Sequence, residues 1–478
     1  MGLIATWTRS QFNLNKTTLQ SYSRTSYGPQ ISRFYGVVHA GGPAPGSNAA
    51  IAGIVSAAYN RNVGIVGFIN GFKGAMKGDA IKLEPCLVSE IGSLGGVAIG
   101  TSRFNPKEED RKKLIESFDK WGIKGLIAIG GDDTNTTASR LSKMGFPVIG
   151  IPKTIDNDIP GTSETHGFQT VVQKTAEALK ALKRDAQCQD SPCIFLAEIM
   201  GRKSGAWTFE AGRSAEATAM YIPEEFSLNG LKTVLGSDNF SGKDYVLNRA
   251  ARLLRVNGKI LDTISFIKAI ENSDKDPVDL KLDASALADE IVRVIAKRDK
   301  FGIPYGVFAI AEGISDKLPT EVSSIGEDGL PSAFKVLGLG KEVEIKVDAH
   351  HNPRLSDVKI SDHLSRLVKE SAKKAGVDIK VVAQTFGYQY RCVDPIAYDK
   401  NLGLAEGFTA LEALDEGKSG MMVSSLGNGK LTLVKYEDLP YDESGHLIPR
   451  QYDLSSFSYK QGIANQFRKS YENYEDVR

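Results

Sequence analysis

Past residue 34 the chain alternates two kinds of stretch. Short apolar runs end in glycine- or proline-rich turns, and longer stretches carry apolar residues at three- and four-residue spacing. The run over 35–40 ends in Gly41-Gly42-Pro43-Ala44-Pro45-Gly46 and leads into an Ala/Ile-rich helix over 47–59. A second strand is predicted over 63–68, a charged amphipathic helix over 107–121 and a buried strand over 125–131. A helix over 136–144 and a strand over 147–152 follow. The later half repeats the style, with helices over 168–184, 284–298 and 361–375 and strands over 193–199, 220–223 and 305–310. Polar segments near 228–282 and 315–358 read as insertions or elaborated loops. Apolar strands alternating with helices predict an α/β fold built on largely parallel sheets. Ligands of such sheets bind at the carboxyl ends of the strands, where these glycine turns fall.

Composition narrows the class. The chain has 478 residues, 41% hydrophobic and 24% charged, with a formal net charge of +1. That length predicts roughly two to four domains and a large core without disulfides. No apolar run approaches the ~18 residues of a membrane span, and near-zero net charge speaks against general nucleic-acid binding. Four cysteines without Cys-x-x-Cys spacing read as reduced thiols of a cytoplasmic protein, or simply as small buried hydrophobes. Glycine is in excess, at 48 residues with no collagen-like period, which points to tight turns or backbone-lined sites. Residues 1–77 contain seven basic and no acidic side chains, a bias that a phosphate-binding region would show. The polar, Ser/Thr-rich residues 1–34 read as a surface arm, with a transit peptide as the alternative.

Three turns carry candidate chemistry. The 41–46 loop lets backbone N–H groups approach phosphate oxygens beside a helix N-terminus, although a plain tight turn has the same signature. It lacks the Gly-Lys-Ser/Thr of a Walker loop. Gly130-Gly131-Asp132-Asp133 places two carboxylates after a buried strand, suited either to holding Mg²⁺ near phosphates or to capping a helix. Pro152-Lys153-Thr154-Ile155-Asp156-Asn157-Asp158 combines a cation, a hydroxyl and two carboxylates at a strand end. A carboxylate there could accept a hydroxyl proton, and the lysine could neutralise a phosphoryl group in transfer. Arg103, Arg202 and Arg391 each follow a strand or a glycine turn, and arginine grips anionic sugar phosphates in bidentate fashion. Glu312, at the end of a buried strand, could bind sugar hydroxyls or cap Gly313.

Taken in order, GGPAPG (41–46), GTSRF (100–104), IGGDDTN (129–135), GIPKTIDNDIPGT (150–162), EIMGRKSG (198–205), AEG (311–313) and GYQYRC (387–392) resemble the phosphofructokinase family, from about residue 35 to 420. The resemblance implies two similar Rossmann-like α/β domains with parallel sheets and the active site in the cleft between them. It implies a phosphoryl-donor domain over 35–166, a fructose 6-phosphate domain over 167–395, and a segment over 396–478 that packs back on both. By resemblance, Asp156 is the base for the sugar 1-hydroxyl and Asp158 supports it. Asp132 is the Mg²⁺-associated carboxylate, Gly42 the donor glycine, and Arg103 a bridge between donor and acceptor phosphates. Thr154, Asp156, Met200, Gly201, Arg202, Glu312, Tyr388 and Arg391 match sugar-phosphate positions. A homo-oligomer, dimer or tetramer, is the expected assembly, with no nucleic acid or membrane as partner.

Two residues point to the donor. Many ATP-using members resembling this chain have glycine at the positions of Asp133 and Lys153. An Asp133 side chain would crowd and repel a nucleotide phosphate, while Lys153 adds the charge that a short donor needs. The expected donor is therefore pyrophosphate, with ATP as the alternative, and Lys153 and Asp133 join Asp156 and Asp158 as catalytic candidates. A non-catalytic regulatory subunit and a sugar-phosphate binding module are the competing classes. The chain departs from the family at Cys193, where some members carry an arginine for a neighbouring subunit's sugar phosphate, and at Lys400, where an arginine is usual.

Overall fold

A computed structural model describes residues 31–470 apart from 32, 89, 239, 327 and 348–352. The arm assigned to 1–34 thus lies almost wholly outside the described residues. The chain divides into two compact units. One comprises the described parts of Met1–Thr154, with Ile159–Gly167 and Arg391–Ile448; the other comprises Ile155–Asp158, Phe168–Tyr390 and the described part of Pro449–Arg478.

The first unit is built on a seven-stranded sheet. Its strand order is Leu431–Lys435, Met421–Ser425, Val148–Pro152, Ile123–Gly130, Arg33–His39, Val63–Phe68, Ala80–Leu83. The five inner strands pair in parallel and only the outermost pair on each side is antiparallel. Period-two alternation sends Tyr35, Val37, Ile127 and Ile129 into one apolar cluster and Val38, Leu126, Ala128 and Val148 into the other. Both faces are therefore covered, which explains why the strands read as continuous apolar runs. Helices Ser47–Tyr59 and Ala397–Asp415 cover the first face, contributing Ile51, Ile54 and Leu411. They touch backbone to backbone: a Cβ at Gly407 would stand 2.1 Å from the Ala50 carbonyl oxygen, and one at Gly53 2.2 Å from that of Leu404. Part of the glycine excess thus serves a helix–helix contact rather than turns.

The second unit holds a four-stranded parallel sheet in the order Lys380–Phe386, Cys193–Ile199, Tyr305–Ala311, Ala219–Tyr221. The polar segment 228–282 is folded, not a loop. It forms helices Leu228–Leu235, Lys243–Leu253 and Thr263–Glu271, the first and last capped by the Ser227 and Asp262 side chains. The described part of 315–358 contains a three-stranded antiparallel sheet, Thr320–Ile325, Pro331–Val336 and Val343–Lys346. Its first strand is exposed along most of its length, so it lacks the apolar alternation that makes a strand visible in sequence. No helix among the described residues is long and apolar enough to cross a membrane.

Candidate active site

In the first unit the loop Gly41–Gly46 leaves the end of the strand Arg33–His39 and opens the helix Ser47–Tyr59. Gly46 caps that helix in the left-handed region, at φ 92°, where a side chain would be strained and would also meet the Asp399 carbonyl at 2.8 Å. The loop is tied down at its first residue. Gly41 N–H donates to the Ser102 carbonyl at 2.9 Å, and Thr101 Oγ1 donates to the Gly41 carbonyl at 2.7 Å. Buried His39 bonds Thr101 Oγ1 through Nδ1 and Ser47 Oγ through Nε2, each at 3.0 Å. Burial, and next the charge of Lys153, push the His39 pKa well below its usual value, so the ring is a neutral brace.

Two cations converge on this loop. Lys153, only 3% exposed, donates from Nζ to the Gly42 carbonyl at 2.5 Å. The Arg391 guanidinium also lies against Gly42: its Cζ and Nη1 would be 3.3 Å from a Cβ at that glycine. Nearby in the sheet, Gly131 precedes the helix Asp132–Lys143. That helix starts four residues before the predicted 136, because the two aspartates occupy its first turn and favour the positive helix end. Asp132 Oδ1 accepts the Asp133 N–H at 3.0 Å. Asn135 Nδ2 donates to the Gly130 and Gly131 carbonyls at 2.9 Å, and the Tyr436 hydroxyl fixes Asn135 Oδ1 at 3.0 Å. Exposed Arg103 follows Thr101 and Ser102.

In the second unit Asp156 faces the glycine of Met200-Gly201-Arg202. Gly201 has φ 148°, and a Cβ there would stand 2.8 Å from the Ser204 carbonyl, so the turn demands glycine; Asp156 Oδ1 would be in ordinary contact with that Cβ at 4.0 Å. Gly313 N–H donates to the Gly201 carbonyl at 3.0 Å, joining the loop of buried Glu312 to that of Arg202. Met200 N–H donates to the Phe386 carbonyl at 2.9 Å, at the strand end that carries exposed Tyr388. Glu224, buried on the next strand turn, accepts the Gly205 N–H at 3.0 Å and the Tyr452 N–H at 2.9 Å. Burial pushes its pKa up while those bonds pull against it. Arg450 donates to the Asp158 carbonyl from its backbone, at 2.6 Å, and to that of Asn157 from Nη2 at 2.7 Å.

The named residues thus fall into two groups. Gly42, Arg103, Asp132, Asp133, Lys153, Thr154 and Arg391 belong to the first unit, and Asp156, Asp158, Met200, Gly201, Arg202, Glu312 and Tyr388 to the second. The chain passes from one unit to the other inside both the 152–158 motif and the 387–392 motif. Sequence reasoning missed His39, Thr101, Asn135, Tyr436, Glu224 and Arg450. Tyr436 and Arg450 sit far along the chain from what they hold and leave no local signal. Of the two departures, Cys193 is buried at the first position of its strand, and Lys400 donates to Ser93 Oγ at 2.8 Å.

Carboxylates, clustered cations and glycine loops at the strand ends of parallel sheets define a protein that handles phosphoryl groups. Residues 35–272 match the phosphofructokinase family. A relative from Dictyoglomus thermophilum, a pyrophosphate–fructose 6-phosphate 1-phosphotransferase, is 31% identical over 82% of this chain and 89% of its own length. An ATP-dependent 6-phosphofructokinase from Bacillus pumilus is 38% identical, but over 40% of this chain and 59% of its own. The crystal structure of a pyrophosphate-dependent phosphofructokinase from Marinobacter aquaeolei shares the fold at a TM-score of 0.56 and 17% identity, over 91% of both chains. The chain belongs to the phosphofructokinase family.

Proposed function

We propose that this protein transfers a phosphoryl group from pyrophosphate to the 1-hydroxyl of fructose 6-phosphate, giving fructose 1,6-bisphosphate and orthophosphate in a reversible reaction. The observation that carries the donor assignment is the buried Lys153 bonded to the Gly42 carbonyl, with Arg391 also against that glycine and Asp133 in the first turn of the helix Asp132–Lys143. A compact, highly charged donor matches two fixed cations, and the Asp133 carboxylate disfavours the longer phosphate chain of a nucleotide. The relative matched over most of both chains bears a pyrophosphate name, whereas the ATP-named relative matches over a part.

In this reading Gly42 and Arg103 hold pyrophosphate, and Lys153 neutralises charge as the phosphoryl group moves in line. Asp156 takes the proton of the sugar hydroxyl, with Asp158 in support. Thr154, Met200, Gly201, Arg202, Glu312, Tyr388 and Arg391 bind and orient the sugar phosphate. Arg391, lying against Gly42, also reaches the donor phosphates. Among the described residues no three His, Cys, Asp or Glu side chains gather as a metal cage. The pattern of one carboxylate, Asp132, at a helix start suits Mg²⁺, which is typically held by one or two carboxylates plus phosphate oxygens and water. Bound there, Mg²⁺ would supply charge neutralisation of the donor. The reading includes a homo-oligomer, dimer or tetramer, working in the cytoplasm.

Purified protein with fructose 6-phosphate and Mg²⁺ should turn over pyrophosphate at least ~10² faster than ATP, in kcat/KM. Turnover with ATP in preference to pyrophosphate overturns the donor assignment. Turnover with neither favours a binding or regulatory role.

A further inference from the structure

Beneath the donor loop lies a polar pair that the reaction as written does not use. His166 and Glu406 are both fully buried, and Nδ1 and Oε2 are 2.6 Å apart. His166 Nε2 and Glu406 Oε1 are buried without a hydrogen-bond partner among the described residues. Asp399, also fully buried, acts on Glu406 electrostatically, and burial together with that neighbour raises the Glu406 pKa against the pull of His166. A buried pair with unmet polar atoms is weak evidence for stability, since well-packed apolar residues in its place are often neutral or better. Its location supplies another reason for it.

The segment carrying His166 touches both halves of the donor machinery. Its backbone pairs with Lys153 in an isolated parallel bridge, and Thr165 Oγ1 donates to the Thr154 carbonyl at 2.7 Å. On the other side, a Cβ at Gly46 would stand 3.3 Å from His166 Cβ, and one at Gly167 would stand 2.8 Å from Ala44 Cβ. Residues 165–167 are therefore a wedge between the lysine loop and the donor loop. Glu406 fastens the wedge to the helix Ala397–Asp415, which itself meets the helix of the donor loop through Gly407 and Ala50.

We infer that His166 and Glu406 are positioning residues that fix the placement of the Lys153 ammonium against the 41–46 loop, and so set how tightly and how productively pyrophosphate is held. The inference rests on the reading of that loop as the donor site. A misplacement of about 1 Å can lower a rate by ~10²-fold, so the expected effect is about tenfold to a hundredfold.

The test replaces both partners together, His166→Leu with Glu406→Leu, so that no charge is left unpaired, and separately makes Glu406→Gln, which keeps size and hydrogen bonding. Circular dichroism and melting establish folding. The expected result for the double variant is a rise in KM for pyrophosphate or a fall in kcat of at least about tenfold, with KM for fructose 6-phosphate within about twofold of the parent. Glu406→Gln should recover most of that loss. If the double variant does not fold, Glu406→Gln alone decides, with an expected threefold or larger rise in the pyrophosphate KM and an unchanged sugar KM. Unchanged kinetics in the folded double variant, or in Glu406→Gln where that variant decides alone, overturns the inference, as do equal changes in both KM values. Failure of the parent enzyme to use pyrophosphate is a different result and overturns the donor reading instead.

Discussion

Replacing Lys153 by methionine separates catalysis from stability more sharply than any other single change. The side chain keeps nearly its length and loses its charge. A unit charge about 4 Å from a transferring phosphoryl group is worth ~4 kcal/mol at an effective dielectric constant of about 20. Loss of one fixed electrostatic contact in an active site typically lowers kcat by ~10² to 10³. Lys153→Met should therefore lower the forward kcat by about 10³ at saturating pyrophosphate and fructose 6-phosphate. Stability should respond differently. The ammonium is 3% exposed, so its removal relieves a desolvation penalty of several kcal/mol. Against that stand the charge-assisted hydrogen bond to the Gly42 carbonyl, worth about 1.5–3 kcal/mol, and the other polar contacts of the ammonium. These terms oppose one another, and the melting temperature should move by less than ~5 °C. The assay couples fructose 1,6-bisphosphate production to a spectrophotometric readout, with a parallel thermal melt. A folded variant with kcat within tenfold of the parent refutes the role given to Lys153. A melting temperature lowered by more than ~10 °C, large enough to explain the lost rate, refutes the energetic reasoning.

Asp133→Gly combined with Lys153→Gly should raise the ratio of ATP to pyrophosphate use, and no change in that ratio removes the gate argument. Asp156→Asn should lose at least ~10² in kcat with a modest change in either KM, and an unaltered kcat removes Asp156 as base. Glu224→Gln should raise the KM for fructose 6-phosphate and spare that for pyrophosphate, because its oxygens hold Gly205 behind the Arg202 loop; equal changes in both would make it a general packing residue. His39 resists protonation in the folded protein, through burial first and Lys153 second, while in the unfolded chain it titrates near 6.5. The unfolded state thus gains a proton as pH falls below 6.5, and stability falls with it. His39→Gln should flatten the slope of stability between about pH 6.5 and 5 in urea titrations, and an identical slope excludes the brace as its source.

The legible part of this chain is the part in which consecutive residues share one environment. Strands such as Ile123–Gly130, buried on both faces, announce themselves as apolar runs, and their ends carry the glycine loops that hold nearly every named site residue. The start of the helix Asp132–Lys143 is harder to read because Asp132, Asp133, Thr134 and Asn135 are weak helix formers, and the burial that helps keep Thr134 and Asn135 helical leaves no local pattern. The segments over 228–282 and 315–358 hid for the opposite reason. The helix Thr263–Glu271 buries only Phe266 and Ile270, and the strand Thr320–Ile325 buries none of its residues, so polar residues dominate the string there.

What sequence reasoning could not supply is the set of residues that hold the loops rather than form them. Tyr436 braces Asn135 across 301 positions, Glu406 meets His166 across 240, and Tyr452 presents its N–H to Glu224 across 228. Each belongs to no motif, and each is a polar atom placed against another deep in a core, where an unmatched partner is penalised. A change in one side chain of such a pair must leave the other a partner. The loops that meet substrate must answer to substrate chemistry, so they keep a form that a reader can recognise. The braces answer only to one another, so their identity can differ while their task stays the same. That separates the two kinds of test above: changes in the loops should alter the chemistry itself, whereas matched changes in a brace should leave a folded enzyme with one substrate held less well.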